Sequence, residues 1–228
     1  MRAVVFDLDN TLYPEAEFVA GGFRAAAAFL SDHCGVDATD AHERFVAALE
    51  VGGRSGVFDR VVADLGLDVD PRLLVYLYRT HAPSVALFPD ARAALARLRG
   101  RESLIAVLTD GMGSVQRRKI AALGLEPDGA SDVVDFVVVT DEIGPEAWKP
   151  CPLPFEIVLY LLDVPAGDCA YIGDDASKDF GAPNALGMVT VMVDRPLKWS
   201  FGGPAPSPES EARHVVADVM EAMEVIGL

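Results

Sequence analysis

The chain is poor in cysteine and in positive charge. Cys34, Cys151 and Cys169 are the only thiols among 228 residues. Odd in number and widely spaced, they exclude a paired disulfide framework and a thiolate metal site, so reduced thiols are expected. Nineteen Lys and Arg stand against thirty-five Asp and Glu, for a net charge of −16. That balance argues against a nucleic-acid backbone or an anionic membrane as partner, since both need positive surface. His33, His42, His81 and His214 lack ligand spacing and read as surface or packing residues. No apolar run is long enough to span a bilayer, and no basic, apolar leader precedes the first strand-like run. A soluble, cytoplasmic protein is therefore expected. Internal repeats and low-complexity tracts are also lacking. What is present is the composition of an ordinary globular protein, 51% hydrophobic and 24% charged. The length suits one large domain, or a core with a smaller companion.

The residues at 3–6 form a continuous apolar, β-branched run, which reads as a strand buried on both faces of a parallel sheet. After Tyr13 and Pro14 the pattern turns helical. Phe18, Gly22, Phe23, Ala26, Ala27 and Leu30 recur at helical spacing in a helix that stops near Gly35. A second helix is expected over 39–51, broken by the glycine cluster at 52–56. Two more follow, near 57–65 and 71–81, the latter with Asp70 as a cap before Pro71. Phe18, Phe23, Phe29 and Phe45 read as the core of this bundle, and Arg54, Arg79 and His81 as its solvated face. Strand and helix then alternate. Asp90 is expected to cap a helix through Arg99, and strands are expected at 104–108, 136–139, 169–172 and 189–193. The helices between them fall at 114–123, 155–162 and 178–186, and a Pro/Gly-rich loop at 195–210 precedes an edge strand at Val215-Val216 and a last helix. The organisation predicted is an α/β fold with a doubly wound parallel sheet from 1–13 and 89–228, and a small four-helix unit at 14–88.

Polar residues collect where the strands end. Asp7 and Asp9 follow the first strand with Thr11 close behind, and Thr109, Asp110 and Gly111 follow the second. Lys149 lies between the third and fourth strands, and Asp174, Asp175 and Asp179 follow the fourth. Parallel strands lie roughly 4.8 Å apart, so groups leaving one edge of the sheet can converge on one small ligand. Open α/β sheets bind ligands at that edge. So many acids cannot share a pocket without a counter-charge. Mg²⁺, a hard cation that keeps oxygen ligands, waters and a substrate phosphate, resolves the conflict. The Thr109 hydroxyl, the N–H groups around Asp110 and Gly111, and the Lys149 ammonium are suited to the remaining phosphate oxygens. Taken singly, each motif also has a plain reading. Thr109-Asp110-Gly111 reads as a turn, Lys149 as solvated, and the three late aspartates as the acidic first turn of a helix.

In order and spacing, Asp7-Leu-Asp9-Asn-Thr11, Thr109-Asp110-Gly111, Lys149-Pro150 and Gly173-Asp174-Asp175-Ala-Ser-Lys-Asp179 resemble the haloacid dehalogenase superfamily, phosphohydrolase branch. The resemblance implies a nucleophilic Asp7 that forms an aspartyl-phosphate, and Asp9 as general acid and then base. It implies Thr109, Asp110 and Lys149 as phosphate ligands, and Mg²⁺ on Asp7, the Asp9 backbone carbonyl and Asp174, with Asp175 or Asp179 in support. The helical insertion resembles that family's cap. Dehalogenases proper lack the second aspartate, so Asp9 favours phosphoester chemistry on a small phosphorylated metabolite. Asp110 departs from the Asn of many relatives, and its side chain is expected to point elsewhere with only its N–H toward the ligand. To act first as an acid, Asp9 is expected to be nearer neutral than Asp7. A sugar phosphomutase of the same chemistry, or a catalytically silent binding protein on the same fold, are the alternative readings. The substrate and the oligomeric state are not written in the sequence.

Overall fold

The computed structural model describes residues 1–127, 133–197, 199 and 202–228. Ala3–Phe6 (β1) has all four residues buried, the state expected of a strand apolar on both faces. The chain then enters four helices: Glu15–Cys34 (α1), Ala38–Gly52 (α2), Val57–Asp64 (α3) and Pro71–Thr80 (α4). From there strand and helix alternate through Pro89–Arg99 (α5), Leu104–Thr109 (β2), Gly113–Ala122 (α6), Phe136–Val139 (β3) and Thr140–Ile143 (α7). The run continues with Leu153–Leu162 (α8), Cys169–Gly173 (β4), Gly181–Leu186 (α9), Val189–Val193 (β5), His214–Val216 (β6) and Val219–Val225 (α10).

All strand pairings are parallel, in the order β3-β2-β1-β4-β5-β6. β1 is flanked by β2 on one side and β4 on the other, with Val5 opposite Ala106 and Tyr171. The order reverses between β1 and β4, and that switch point is where a doubly wound sheet opens a crevice outside its carboxyl ends. Under the sheet, Val5, Ala106, Leu108, Phe155, Tyr171 and Phe180 belong to one buried cluster. Each such large side chain contributes roughly 1.5–3 kcal/mol by leaving water.

The chain divides into two compact units, Met1–Glu15 with Val85–Leu228, and Ala16–Ser84. The smaller unit has its own aromatic core, with Phe23 stacked on Phe45 at 5.5 Å and Phe58 and Tyr78 packed at the edges. Asp37 caps α2 by accepting from Thr39 and Asp40 N–H, and Asp70 caps α4 by accepting from Arg72 N–H. Phe29 departs from the expected core role: it is half-buried and stacks on His33 one turn later. His81 is not on a solvated face; its ring lies 4.6 Å from that of Phe18 and its Nδ1 meets the Tyr78 carbonyl.

Three local expectations change in the larger unit. Asp90 is not a cap: Phe88 holds that position, and the Asp90 carboxylate pairs with Arg195 and accepts Val219 N–H at 2.9 Å, joining α5 to the start of α10. The connection after β3, which the sequence predicts as a loop carrying Gly144, Pro145, Lys149 and Pro150, contains α7 and a single 3₁₀ turn at Pro145–Ala147. The helix expected over 178–186 begins only at Gly181, because Asp175 and Asp179 spend their carboxylates on turn N–H groups. Of the loop expected over 195–210, positions 198, 200 and 201 lie outside the described residues.

Candidate active site

Asp7 leaves β1 on one side of the switch point, and its N–H still bonds the Ile172 carbonyl of β4 at 2.8 Å. Asp174 follows β4 directly. Carboxylate oxygens of Asp7, Asp174 and Asp179 all lie within 4.8 Å of one another. Lys149 Nζ sits against this group, 2.6 Å from Asp7 Oδ1, 2.6 Å from Asp179 Oδ1 and 2.9 Å from the Tyr171 hydroxyl. Tyr171 in turn donates to Asp179 Oδ1 at 3.0 Å. Burial pulls the Lys149 ammonium toward neutrality, but Asp179 and Asp7 outweigh it and hold the pKa well above the usual lysine value.

One lysine does not balance three acids. Burial, more than the neighbouring Asp179, pushes Asp7 up to about 6 against the pull of Lys149. Burial, then the charges of Asp7 and Asp179, push Asp174 up to about 9. Asp179 goes the other way, because Lys149, Lys178 and the Asp175 N–H together outweigh its burial. Among the described residues the Asp174 carboxylate accepts no hydrogen bond, and Asp7 Oδ2 accepts none either. An all-oxygen donor set with an unpartnered, desolvated carboxylate fits a hard divalent cation.

Asp9 stands apart from this cluster. Spacing by two residues aligns side chains only within a strand, and β1 ends at Phe6. Asp9 lies in the turn that follows, where Asn10 has a φ of 61° and Leu12 N–H bonds the Leu8 carbonyl. Its carboxylate is held by Lys119 Nζ at 2.8 and 2.9 Å, by Gln116 Nε2 at 2.9 Å and by the Tyr13 hydroxyl at 2.5 Å. Burial raises the Asp9 pKa, but Lys119, Tyr13 and Gln116 together carry it below the ordinary aspartate value. Burial thus favours the neutral form of Asp7 while the partners of Asp9 favour its charged form, opposite to the expected order.

Thr109 closes β2 fully buried, and its Oγ1 accepts Gln116 Nε2 at 2.6 Å. Among the described residues its own proton reaches only the Asp110 carbonyl, at 3.4 Å, and so stays available. The Asp110 side chain has partners of its own within the fold. Its Oδ1 accepts from the Thr140 hydroxyl at 2.8 Å and from Lys149 N–H at 3.2 Å, which fastens the Lys149 segment to the end of β2. Gly111 has a φ of 126°, and a Cβ there would stand 3.2 Å from the Gln116 side chain. Thr11 is buried, and its hydroxyl finds no partner among the described residues. Asp175 is outside the acid cluster. It shapes the turn instead, accepting from Ser177 N–H, the Ser177 hydroxyl and Gly203 N–H.

The acidic-helix reading of Asp174, Asp175 and Asp179 fails, since all three precede α9. Gln116, Lys119, Tyr13, Tyr171 and Lys178 were not singled out in the sequence. Gln116 and Lys119 are three apart on α6, hence on one face, and their burial beside an acid is the signal that periodicity alone does not carry.

Fold and site define an α/β enzyme with an acid-rich centre at the switch point of its sheet. The chain belongs to the haloacid dehalogenase-like hydrolases, whose family model matches residues 1–187. It is 30% identical to the ribulose-1,5-bisphosphate 5-phosphatase of Halopiger xanaduensis over 92% of this chain and 87% of that protein. It is 29% identical to the glyceraldehyde 3-phosphate phosphatase of Methanopyrus kandleri over 86% of this chain and 84% of that protein. Among solved structures, a phosphatase of this superfamily from Thermococcus onnurineus superposes with a TM-score of 0.64, at 24% identity over 100% and 98% of the two chains. The 2-haloacid dehalogenase of Pseudomonas syringae superposes at 0.63, with 21% identity over 100% and 98%. A phosphatase and a dehalogenase fit equally well, so these superpositions define the fold and leave the reaction to the side chains. Among the described residues, no helix is long and apolar enough to cross a membrane.

Proposed function

We propose that the protein hydrolyses a small phosphomonoester through a phosphorylated Asp7, with Mg²⁺ held by Asp7 and Asp174, and by Asp179 or the Asp9 carbonyl. The observation that carries this reading is the acid cluster: three carboxylates within 4.8 Å, with one fully engaged lysine beside them. When bound, a hard cation there would draw charge from the phosphoryl oxygens and allow an anionic nucleophile to approach.

The remaining work belongs to the chain. Lys149 holds Asp7 by Oδ1, which leaves Oδ2 as the attacking atom. The Thr109 proton and the N–H groups near Asp110 and Gly111 orient the phosphoryl group for in-line displacement. An ionised Asp9 suits the second step, in which it takes a proton from the water that cleaves the aspartyl-phosphate. For the first step it must gain a proton, and the arrival of an anionic substrate beside it raises its pKa in that direction. The two relatives described above are named as phosphatases of a sugar bisphosphate and a triose phosphate, which favours water over a sugar as acceptor and a small phosphorylated metabolite as substrate. The helical unit, resembling the family's cap, is the part assigned to substrate choice.

The test is a panel of phosphate esters assayed for inorganic phosphate with Mg²⁺ and with EDTA. Release that depends on Mg²⁺ is the expected result. Conversion of a sugar phosphate to its isomer without free phosphate would replace hydrolase by mutase, and no turnover of any ester would favour a silent binding protein.

A further inference from the structure

A primary amide donates at one end and accepts at the other, and its neighbours decide which end lies where. Gln116 is buried on α6, and one end of its side chain lies 2.9 Å from Asp9 Oδ2 and 2.6 Å from Thr109 Oγ1. A carboxylate only accepts, so the end at Asp9 is the amino group, with two protons for two acceptors. Lys119 Nζ holds Asp9 in place at 2.8 and 2.9 Å. The amide therefore cannot turn over without setting its oxygen against a fixed anion. On another side the backbone at Gly111 closes in, where a Cβ would stand 3.2 Å from Gln116 Cδ.

That fixed amide has a consequence for Thr109. With Gln116 donating to Oγ1, the hydroxyl proton cannot point back along the same line. Among the described residues it reaches only the Asp110 carbonyl, at a long 3.4 Å. Phe6 of β1 pairs with Val107 of β2, so Thr109 stands two positions further on, at the sheet edge from which Asp7 leaves. We propose that Gln116 is a positioning residue for phosphoryl transfer: it makes Thr109 a dedicated donor to a phosphoryl oxygen and keys that donor to Asp9. The inference rests on the hydrolase reading above. Gln116 acts through Thr109, whose hydroxyl would otherwise rotate among its staggered positions. The amide removes the orientations that face α6 before any ligand arrives, so less order is lost on binding.

Inorganic phosphate is the probe, since it carries the phosphoryl oxygens and no leaving group. In the full-length, Mg²⁺-loaded protein, Gln116→Met keeps the side-chain volume and removes the donor. Phosphate should inhibit this variant about fivefold more weakly than wild type. In a Thr109→Val background the same substitution should weaken inhibition by less than about twofold, because the donor it orients is gone. A purely structural role would give the same factor in both backgrounds, and that result would overturn the proposal. So would phosphate inhibition of Gln116→Met equal to wild type. Gln116→Leu carries the same comparison if the methionine variant does not fold. The rise in melting temperature with added phosphate reads the same binding without turnover. If the wild-type protein released no phosphate from any ester but was stabilised by it, the hydrolase reading alone would fall, and the rise would still decide for or against Gln116. Neither release nor stabilisation would overturn both.

Discussion

Lys119 Nζ meets both carboxylate oxygens of Asp9, at 2.8 and 2.9 Å, across 110 positions of sequence. The pair is enclosed, with side-chain exposures of 5% and 21%. It gives the second aspartate of the first motif a fixed place and a fixed charge, while Gln116 ties the same carboxylate to Thr109. Removing the lysine leaves a buried carboxylate with only Tyr13 and Gln116 among the described residues. Lys119→Met should therefore cost about 3 kcal/mol of stability, measurable by urea unfolding, as expected for breaking an enclosed ion pair. It should also lower kcat at least about tenfold with a smaller change in KM, because the role proposed for Asp9 is on the reacting atoms and not in the resting complex.

The raised acids fix how metal and pH interact. Burial first, and neighbouring acids next, set Asp174 at about 9 and Asp7 at about 6, against 3.8 for the ordinary group. A carboxyl whose folded pKa is raised holds its proton in the folded state after the unfolded chain has lost it. Stability without metal therefore falls as pH rises from about 4 to about 9. A metal must displace that proton, so its affinity rises across the same window. In EDTA the melting temperature should fall between about pH 6 and about pH 9, and the rise produced by Mg²⁺ should be larger at the higher pH. Asp174→Asn should abolish most of the Mg²⁺ effect. Thermal unfolding at fixed Mg²⁺ across that range checks all three.

Asp110 offers a sharper contrast between two substitutions. Its Oδ1 accepts from Thr140 and from the Lys149 backbone, and an amide oxygen can do the same. Asp110→Asn should keep kcat/KM within about threefold of wild type, while Asp110→Ala leaves two buried donors unpaired at roughly 1–3 kcal/mol each. The alanine variant should melt lower and lose at least about tenfold in kcat/KM, since the Lys149 segment is no longer tied to β2. Equal activity of the two variants would remove Asp110 from this role.

Much of the fold was legible because it is local. The run at 3–6, the strand at 136–139 and the cap at Asp70 depend on neighbours a few residues away, and they fall where the pattern puts them. The acid cluster was legible in part, since strand order alone brings the ends of β1 and β4 together. What the pattern could not give is the environment of Asp9, which is set by Lys119 on a helix that carried no functional reading. Nor could it give the turn at 174–180, where side-chain oxygens of Asp175 and Asp179 take N–H groups that a helix would need. Asp90 failed for a related reason: in sequence it looks like a cap, and in the fold its oxygens are claimed by Arg195 and Val219.

The central claim is that Asp7 becomes covalently phosphorylated, and it can be read directly. The Mg²⁺-loaded protein is mixed with a substrate ester, quenched in acid during turnover, reduced with borohydride to convert an acyl phosphate to homoserine, and mapped by peptide mass. The expected result is homoserine at position 7 alone, absent in Asp7→Asn and in EDTA. Phosphate release at the wild-type rate from Asp7→Asn, or homoserine at position 9 instead, would contradict it.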